Sequence, residues 1–375
     1  VKEFIRHGHR PYIVTPREKK MGEKTELLDF PDYSILKVEI GNTSGVSLIE
    51  KGISTVTLSR KFYNAVKTNL GHLEFGLILY STPPITLATP VKRLKKLFDC
   101  RTYLMLKDIF PQNAVDLEMF SRNSPIYWYF RAREKALYRI SDRIGCMSPA
   151  NVEYVLKHNP EIEGDRVEIC PNAIIPHPVQ DRTASKKALR EKYGIPEEAI
   201  VYLYGGNLGK PQGIPFLIEC LKANKNRSDR YFIICGEGSE YGLLEEFVKA
   251  EKPSNVKLLR FLPKAEYDLL AIGCDVGLVF LDYRFTIPNF PSRILSYMEN
   301  EIPILACTDK ATDLGRIAEE NGFGLWCRSC DISSFTEKVE KFTADSIIKM
   351  GTTSRRYLEE KYTSGAVYKI IMGER

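Results

Sequence analysis

The chain has 375 residues, 43% of them apolar and 27% charged, too many for one ordinary core and enough apolar surface for two. No apolar run approaches the roughly 18 residues that would span a membrane, and no secretory leader pattern is visible. The net charge of +6 belongs to the first half, because residues 1–180 carry 26 Lys/Arg against 20 Asp/Glu and the remaining 195 carry 28 against 28. That asymmetry fits either an anionic partner for the first half or ordinary surface variation.

In chain order, residues 1–8 read as the end of an amphipathic helix closed by Gly8, and Tyr12–Val14 reads as a strand. A parallel α/β domain rarely opens in mid-helix, so the pattern predicts a further strand and turn ahead of Val1. Residues 75–80 form a buried-strand run, followed by Ser81-Thr82-Pro83-Pro84 and a helix from about Ile85 to Leu97. Thr102–Leu106 is a strand that ends at Lys107-Asp108-Ile109-Phe110-Pro111, Ile126–Tyr138 is helical, and Arg143–Met147 is strand-like. Ser148 caps a helix to about His158, and Val167–Cys170 precedes a polar, Pro-rich stretch from Ile174 to Ser185. That stretch is the linker candidate.

Strands then recur at Val201–Tyr204, Tyr231–Cys235, Val256–Arg260, Val276–Phe280 and Pro303–Ala306, with helices between them. Strand–helix alternation on both sides of a linker predicts two doubly wound parallel α/β (Rossmann-like) domains facing a cleft. The expected division is 1–180 and 181–345. A last helix from about Ser346 to Tyr362, with its tail to Arg375, is expected to cross back over the first domain.

Chemistry concentrates at the strand ends. Gly205 and Gly206 let the chain turn after a buried strand, and Asn207, Lys210, Gln212 and Gly213 lead into a helix whose N-terminus suits a phosphate. Pro211 follows the lysine where a Walker A loop needs Ser or Thr, so that loop is excluded. Gly236-Glu237-Gly238 closes the next strand, Leu262 ends another, and Tyr267 begins the following helix. Phe290-Pro291-Ser292-Arg293 opens a further helix, and Arg293 can present a fork of hydrogen bonds to a diphosphate.

Taken together, these blocks resemble family 4 of the retaining glycosyltransferases, which have the two-domain GT-B fold. The likeness spans nearly the whole chain. It rests on Gly205–Gly213, Gly236–Gly238, Asn255-Val256…Leu262-Pro263, Asp275-Val276 and Pro291-Ser292-Arg293…Tyr297-Met298…Pro303. In the first half, Lys107–Pro111 is similar to the R-D-L-W-P of a branch that builds bacterial surface polysaccharides with N-acetylated amino-deoxyhexoses such as N-acetylfucosamine. Val167–Asn172 resembles that family's V-x-x-I-P-N. The resemblance implies a UDP-sugar donor on the second domain and a glycan or lipid-diphosphate-linked acceptor on the first. It implies retention of configuration and no resident cofactor or metal.

Donor contacts are expected from Gly205, Gly206, Asn207, Lys210, Gln212, Gly236, Glu237, Gly238, Leu262, Tyr267, Phe290, Pro291, Ser292, Arg293 and Ser296. Asp108 is the expected catalytic carboxylate, orienting an acceptor hydroxyl or favouring an oxocarbenium-like state; as an alternative it caps the turn that follows it. Ser81, Thr82 and Lys107 are expected on the acceptor side. Two departures stand out: where the family often has E-x7-E, this chain has Pro288 and Ser296. The alternatives are a sugar-nucleotide epimerase of the same plan and a domain pair that binds a nucleotide-sugar or a partner without catalysis.

Nine scattered cysteines with one C-x-x-C, Cys327/Cys330, fit reduced buried thiols better than zinc. The five histidines show no metal-ligand spacing, no D-x-D occurs, and no nucleic-acid motif is present. Residues 125–139 interleave Tyr127, Trp128, Tyr129 and Phe130 with Arg131, Arg133, Lys135 and Arg139. With Lys92, Arg93, Lys95 and Lys96 they suit an anionic membrane surface, and equally a set of aromatics buried on the sheet under a solvated basic face. The expected location is cytoplasmic, at the inner face of the cell membrane.

Overall fold

A computed structural model describes residues 1–42 and 48–374, and gives the backbone alone for 48–56. The first half opens with α1 (Lys2–Arg6), β1 (Tyr12–Glu18), β2 (Glu26–Asp29), β3 (Ser34–Ile40) and α2 (Leu48–Leu70). It continues through β4 (Leu77–Ser81), α3 (Ala88–Phe98), β5 (Arg101–Leu106), α4 (Gln112–Asp116), α5 (Pro125–Ile140), β6 (Arg143–Cys146), α6 (Pro149–His158) and β7 (Val167–Ile169). Local chemistry sets several starts. The Ser124 hydroxyl accepts from the Tyr127 amide with Pro125 in the first turn of α5, and Ser148 with Pro149 repeats the arrangement for α6.

These strands divide into two sheets. One has the order β1-β3-β2, with β1 parallel and β2 antiparallel to β3; the other is parallel, in the order β4-β5-β6-β7. Residues of β1 and β4 line opposite sides of an apolar groove of about 500 Å³ that also meets α2 and α3.

The second half holds α7 (Thr183–Tyr193), β8 (Ile200–Gly205), α8 (Ile214–Ala223), β9 (Arg230–Cys235), α9 (Tyr241–Glu251), β10 (Val256–Leu259), α10 (Lys264–Gly273) and β11 (Val276–Phe280). Next come α11 (Ile294–Glu299), β12 (Ile304–Thr308), α12 (Leu314–Glu320), β13 (Gly324–Arg328), α13 (Ile332–Glu340), α14 (Ala344–Lys361) and α15 (Ser364–Met372). Its strands form one parallel sheet in the order β10-β9-β8-β11-β12-β13. Alternation decides the packing. Val201 and Leu203 join the core on one face, while Tyr202 and Tyr204 join the core on the other. Strand order reverses between β8 and β11, so their carboxyl ends diverge around a crevice.

One expectation about the C-terminus is corrected. The segment from 346 does not cross as one helix, because α14 stays on the second domain. Gly351 lies so close to the Glu301 carbonyl that a Cβ there would overlap it, Ser354 donates to the Ile302 carbonyl, and Arg355 donates to the Glu299 carbonyl at 2.8 Å. The crossing comes at Thr363, where Ile174 and the Tyr362–Ser364 backbone exchange hydrogen bonds. Only α15 returns to the first domain, where Val367 and Ile371 pack on Tyr103 and Cys170.

The domains also meet beside the cleft. Asp116 accepts from the Thr286 amide at 2.7 Å, Asn151 donates to the Pro288 carbonyl at 2.8 Å, and Leu281, Phe285 and Ile287 join the first-domain core. All nine cysteines are unpaired and only Cys330 is exposed. Burial pushes the Cys170 and Cys235 thiols up to about 11, away from thiolate chemistry at neutral pH. No helix among the described residues is long and apolar enough to cross a membrane.

Candidate active site

The crevice at the β8/β11 reversal is a cavity of about 610 Å³ between the two domains. Its second-domain wall includes Gly205, Gly206, Asn207, Gln212, Phe290, Pro291, Ser292 and Arg293, and Lys107 and Asp108 face them from the first domain. Ten of the residues expected from sequence thus share one cavity.

The glycine turn is built by close packing. Gly205 ends β8 with no room for a side chain, because a Cβ would run into the Tyr267 ring, and its amide donates to the Tyr297 hydroxyl at 3.2 Å. Gly206, at φ 134°, lies 3.4 Å (from its ideal Cβ position) from the Arg293 guanidinium carbon. Asn207 and Gln212 join side chains at 3.0 Å, which fixes the rim of the turn. The Asp282 amide, just past β11, donates to the Pro211 carbonyl at 3.0 Å and ties the turn to the neighbouring strand end.

Arg293 is the electrostatic centre of this wall. Its guanidinium lies 4.5 Å from the Tyr204 ring centroid, and its Nη1 is shielded from solvent with no hydrogen-bond partner among the described residues. A buried donor left unpaired carries a desolvation penalty. An anion in the cavity would relieve it.

Opposite stands Asp108, just beyond β5. Both carboxylate oxygens accept from the Asn113 side-chain amide, at 2.9 and 3.0 Å. Burial holds its pKa above the ordinary carboxylate range, opposed by the Ile109 amide and Asn113. Thr82 holds this turn from behind: its hydroxyl accepts from the Lys107 and Asp108 amides and donates to the Asp108 carbonyl at 3.2 Å. Thr82 is therefore buried as a brace.

Several expected residues lie elsewhere. Ser81 lines the apolar β1–β4 groove, and Leu262 lines a separate hollow against α7 and α10. Lys210 is exposed, outside the residues that line the cavity, and its charge acts on Glu240. Gly236 and Gly238 serve the turn rather than open the cavity, since a Cβ on either would overlap the Gly206 or Leu208 carbonyl. Exposed Glu237 accepts at its carbonyl from the Leu208 amide at 2.8 Å, Tyr267 sits behind Gly205, and Ser296 is half-buried in α11 without lining the cavity. Phe261 to Pro263 leads into α10, so Tyr267 falls in that helix as the sequence suggests.

Sequence reasoning missed Asn113, Leu117, Asn172, Leu281, Phe285 and Asn289, all of which line the cavity. Asn289 had a signal, since it directly precedes Phe290-Pro291; its amide donates to Thr312 at 3.0 Å. No group of three or more His, Cys, Asp or Glu that could hold a metal occurs among the described residues.

Residues 185–362 match the family described as Glycosyl transferases group 1. The chain is also 23% identical over 322 residues to the probable glycosyltransferase WbjE of Pseudomonas aeruginosa, covering 84% of this chain and 78% of that protein. WaaG, a glycosyltransferase involved in lipopolysaccharide biosynthesis, superposes with a TM-score of 0.66 at 14% identity, over 96% of this chain and 98% of that one. HepE of Anabaena, solved with UDP and glucose, gives 0.65 at 14% identity, over 90% and 85%. At these identities the likeness concerns the fold, and the fold is GT-B. The group 1 glycosyltransferase match runs from within α7 to the end of α14, and so includes the glycine turn and Arg293.

Proposed function

We propose that this chain is a retaining, metal-independent glycosyltransferase. It takes a sugar of the N-acetylated amino-sugar type from a UDP-sugar and passes it to a polysaccharide intermediate carried on a lipid diphosphate. The observation that carries the reading is the solvent-shielded, unpartnered Nη1 of Arg293 beside Gly206, facing Asp108 across one cavity. UDP bound in HepE supports the donor class, and the lipopolysaccharide biosynthesis in which WaaG is involved supports a polysaccharide setting for the acceptor.

In this reading the nucleotide diphosphate lies along Gly205–Asn207 with Arg293 on its oxygens. As the bond from the anomeric carbon to the diphosphate oxygen breaks, negative charge grows on that oxygen and the guanidinium stabilises it. Asp108, held by Asn113 and braced by Thr82, orients the acceptor hydroxyl and favours positive charge on the sugar ring. A closed cleft keeps water from the donor.

Calorimetric titration with UDP, GDP, ADP and dTDP, without added metal, tests the donor site. Selective binding of UDP is expected, and no binding by any of the four contradicts the proposal. The second reading, nucleotide-sugar binding without transfer, draws on Pro288 and Ser296 standing where the resembling family carries glutamates. Turnover that disappears in Asp108→Asn while UDP still binds excludes it.

A further inference from the structure

Away from the cleft, the first domain carries a hollow of about 260 Å³ between the start of α3, α5 and the middle of α2. Three guanidinium side chains line it, Arg60, Arg93 and Arg133, and none of them has an ion pair among the described residues. Two are held by aromatic faces: Arg93 lies 3.8 Å from the Tyr63 ring centroid, and Arg133 lies 5.1 Å from that of Tyr129. The hydroxyl of Thr86, another lining residue, is shielded from solvent and has no hydrogen-bond partner among the described residues. Three cations and a hydroxyl without partners among the described residues, around one hollow, are the complement of a phosphate-type anion.

The rim gives the second half of the argument. Ile126 and Trp128, in the first turn of α5, are 53% and 59% exposed, and Tyr129, which lines the hollow, is 45% exposed. Leaving such side chains in water costs free energy, and Trp and Tyr favour the boundary between headgroups and acyl chains. Lys92 and Lys96 are exposed on α3, one turn apart beside Arg93. Lys95 does not belong to the patch, because it bonds Asp142 at 2.6 Å. The patch also lies in the half of the chain that holds the whole +6 excess.

We propose that this face docks on a membrane surface containing anionic phospholipid. A headgroup phosphate sits among Arg60, Arg93 and Arg133, while Ile126 and Trp128 reach the interfacial layer. Neither part explains the other alone. A free-anion site has no use for exposed Ile126 and Trp128, and a purely apolar contact has no use for three guanidinium groups around one hollow.

The test is flotation of the whole protein with vesicles of phosphatidylcholine, with and without phosphatidylglycerol. Binding is expected only with the anionic lipid, and it should weaken as salt is raised. Each Arg→Ala change at 60, 93 or 133 should lower partitioning about fivefold, the effect of one basic residue near an anionic surface. Arg93→Glu with Arg133→Glu should abolish it, and Trp128→Ala should reduce it without altering its salt dependence. None of these side chains lines the cleft, so the variants should keep the parent melting temperature and nucleotide binding. Equal flotation with both vesicle types, no flotation with either, or unchanged flotation of the double Glu variant overturns the proposal. Binding of inorganic phosphate at the hollow without any flotation makes it a free-anion site and overturns it as well.

Discussion

The two halves of this molecule solve different problems with the same strand–helix vocabulary. The second domain joins six strands into one parallel sheet, carries balanced charge, and packs its two glycine turns so closely that no Cβ fits at Gly205, Gly236 or Gly238. The first domain divides its strands between two sheets, carries all the excess positive charge, and leaves Trp128, Tyr129 and Ile126 in solvent. On the function proposed above, one half is the holder for a small anionic ligand. The other presents a single braced carboxylate inside and a basic, aromatic surface outside.

If that contrast is right, the largest effect belongs to the first domain's carboxylate. Asp108→Asn should lower turnover on the order of 10²–10⁴-fold, the usual contribution of a positioned acid or base, with UDP affinity little changed. Single-turnover kinetics beside a UDP titration would show whether the two separate. Next comes the holder. Arg293→Ala should weaken UDP binding roughly thirtyfold or more, as expected when a buried charge loses its partner. Lys210→Ala, in contrast, should change affinity by less than about threefold, because its charge is exposed and screened.

Stability should show the same contrast. Gly236→Ala would drive a Cβ into the Gly206 carbonyl at a backbone φ of 155°. It should cost about 1–3 kcal/mol in urea unfolding. Gly164→Ala in the first domain meets nothing within 4 Å at an ordinary φ and should be neutral or slightly stabilising. An equal loss in both variants would remove the distinction between a tightly packed holder and an ordinary loop.

The smallest expected effect concerns pH. Because the folded-state pKa of Asp108 is raised, folding favours its protonated form. Its contribution to stability is full below the unfolded carboxylate pKa and is lost as pH rises through the folded value. At neutral pH, Asp108→Asn should therefore leave the melting temperature unchanged or higher. The acid limb of the turnover profile should lie above the ordinary carboxylate range. A lower melting temperature in Asp108→Asn at neutral pH would mean that the carboxylate stabilises the turn and that burial is the lesser influence.

Much of this was legible in the sequence because buried parallel strands are near-continuous apolar runs. Val201–Tyr204, Tyr231–Cys235 and Val276–Phe280 could hardly be read otherwise, and their order fixed where the crevice would open. Gly205 and Gly206 followed from their place at a strand end, Arg293 from a helix start, and Asp108 from a strand end together with the family resemblance. Other features were hidden for physical reasons. Gly324-Leu325-Trp326-Cys327-Arg328 is a half-buried edge strand whose apolar run is only three residues long, bounded by glycine and arginine. Ser81 looked like a cleft residue from its place at a strand end, but the side chain faces the β1–β4 groove. Sequence gave Lys210 a charge and a neighbourhood without a direction. Asn113 reaches Asp108 from a short helix after the turn, a contact that no periodicity announces. The break between α14 and α15 lies at Tyr362–Thr363, where polar residues alone gave little sign that one helix would stay and the other cross.

The central claim is that the second domain holds a nucleotide diphosphate through Arg293 at the β8/β11 crevice. Side-by-side calorimetric titration of UDP into the parent, Arg293→Ala and Lys210→Ala proteins tests it directly. The account predicts binding to the parent and to Lys210→Ala, with a large loss in Arg293→Ala. Equal affinity in all three, or a loss confined to Lys210→Ala, would contradict it.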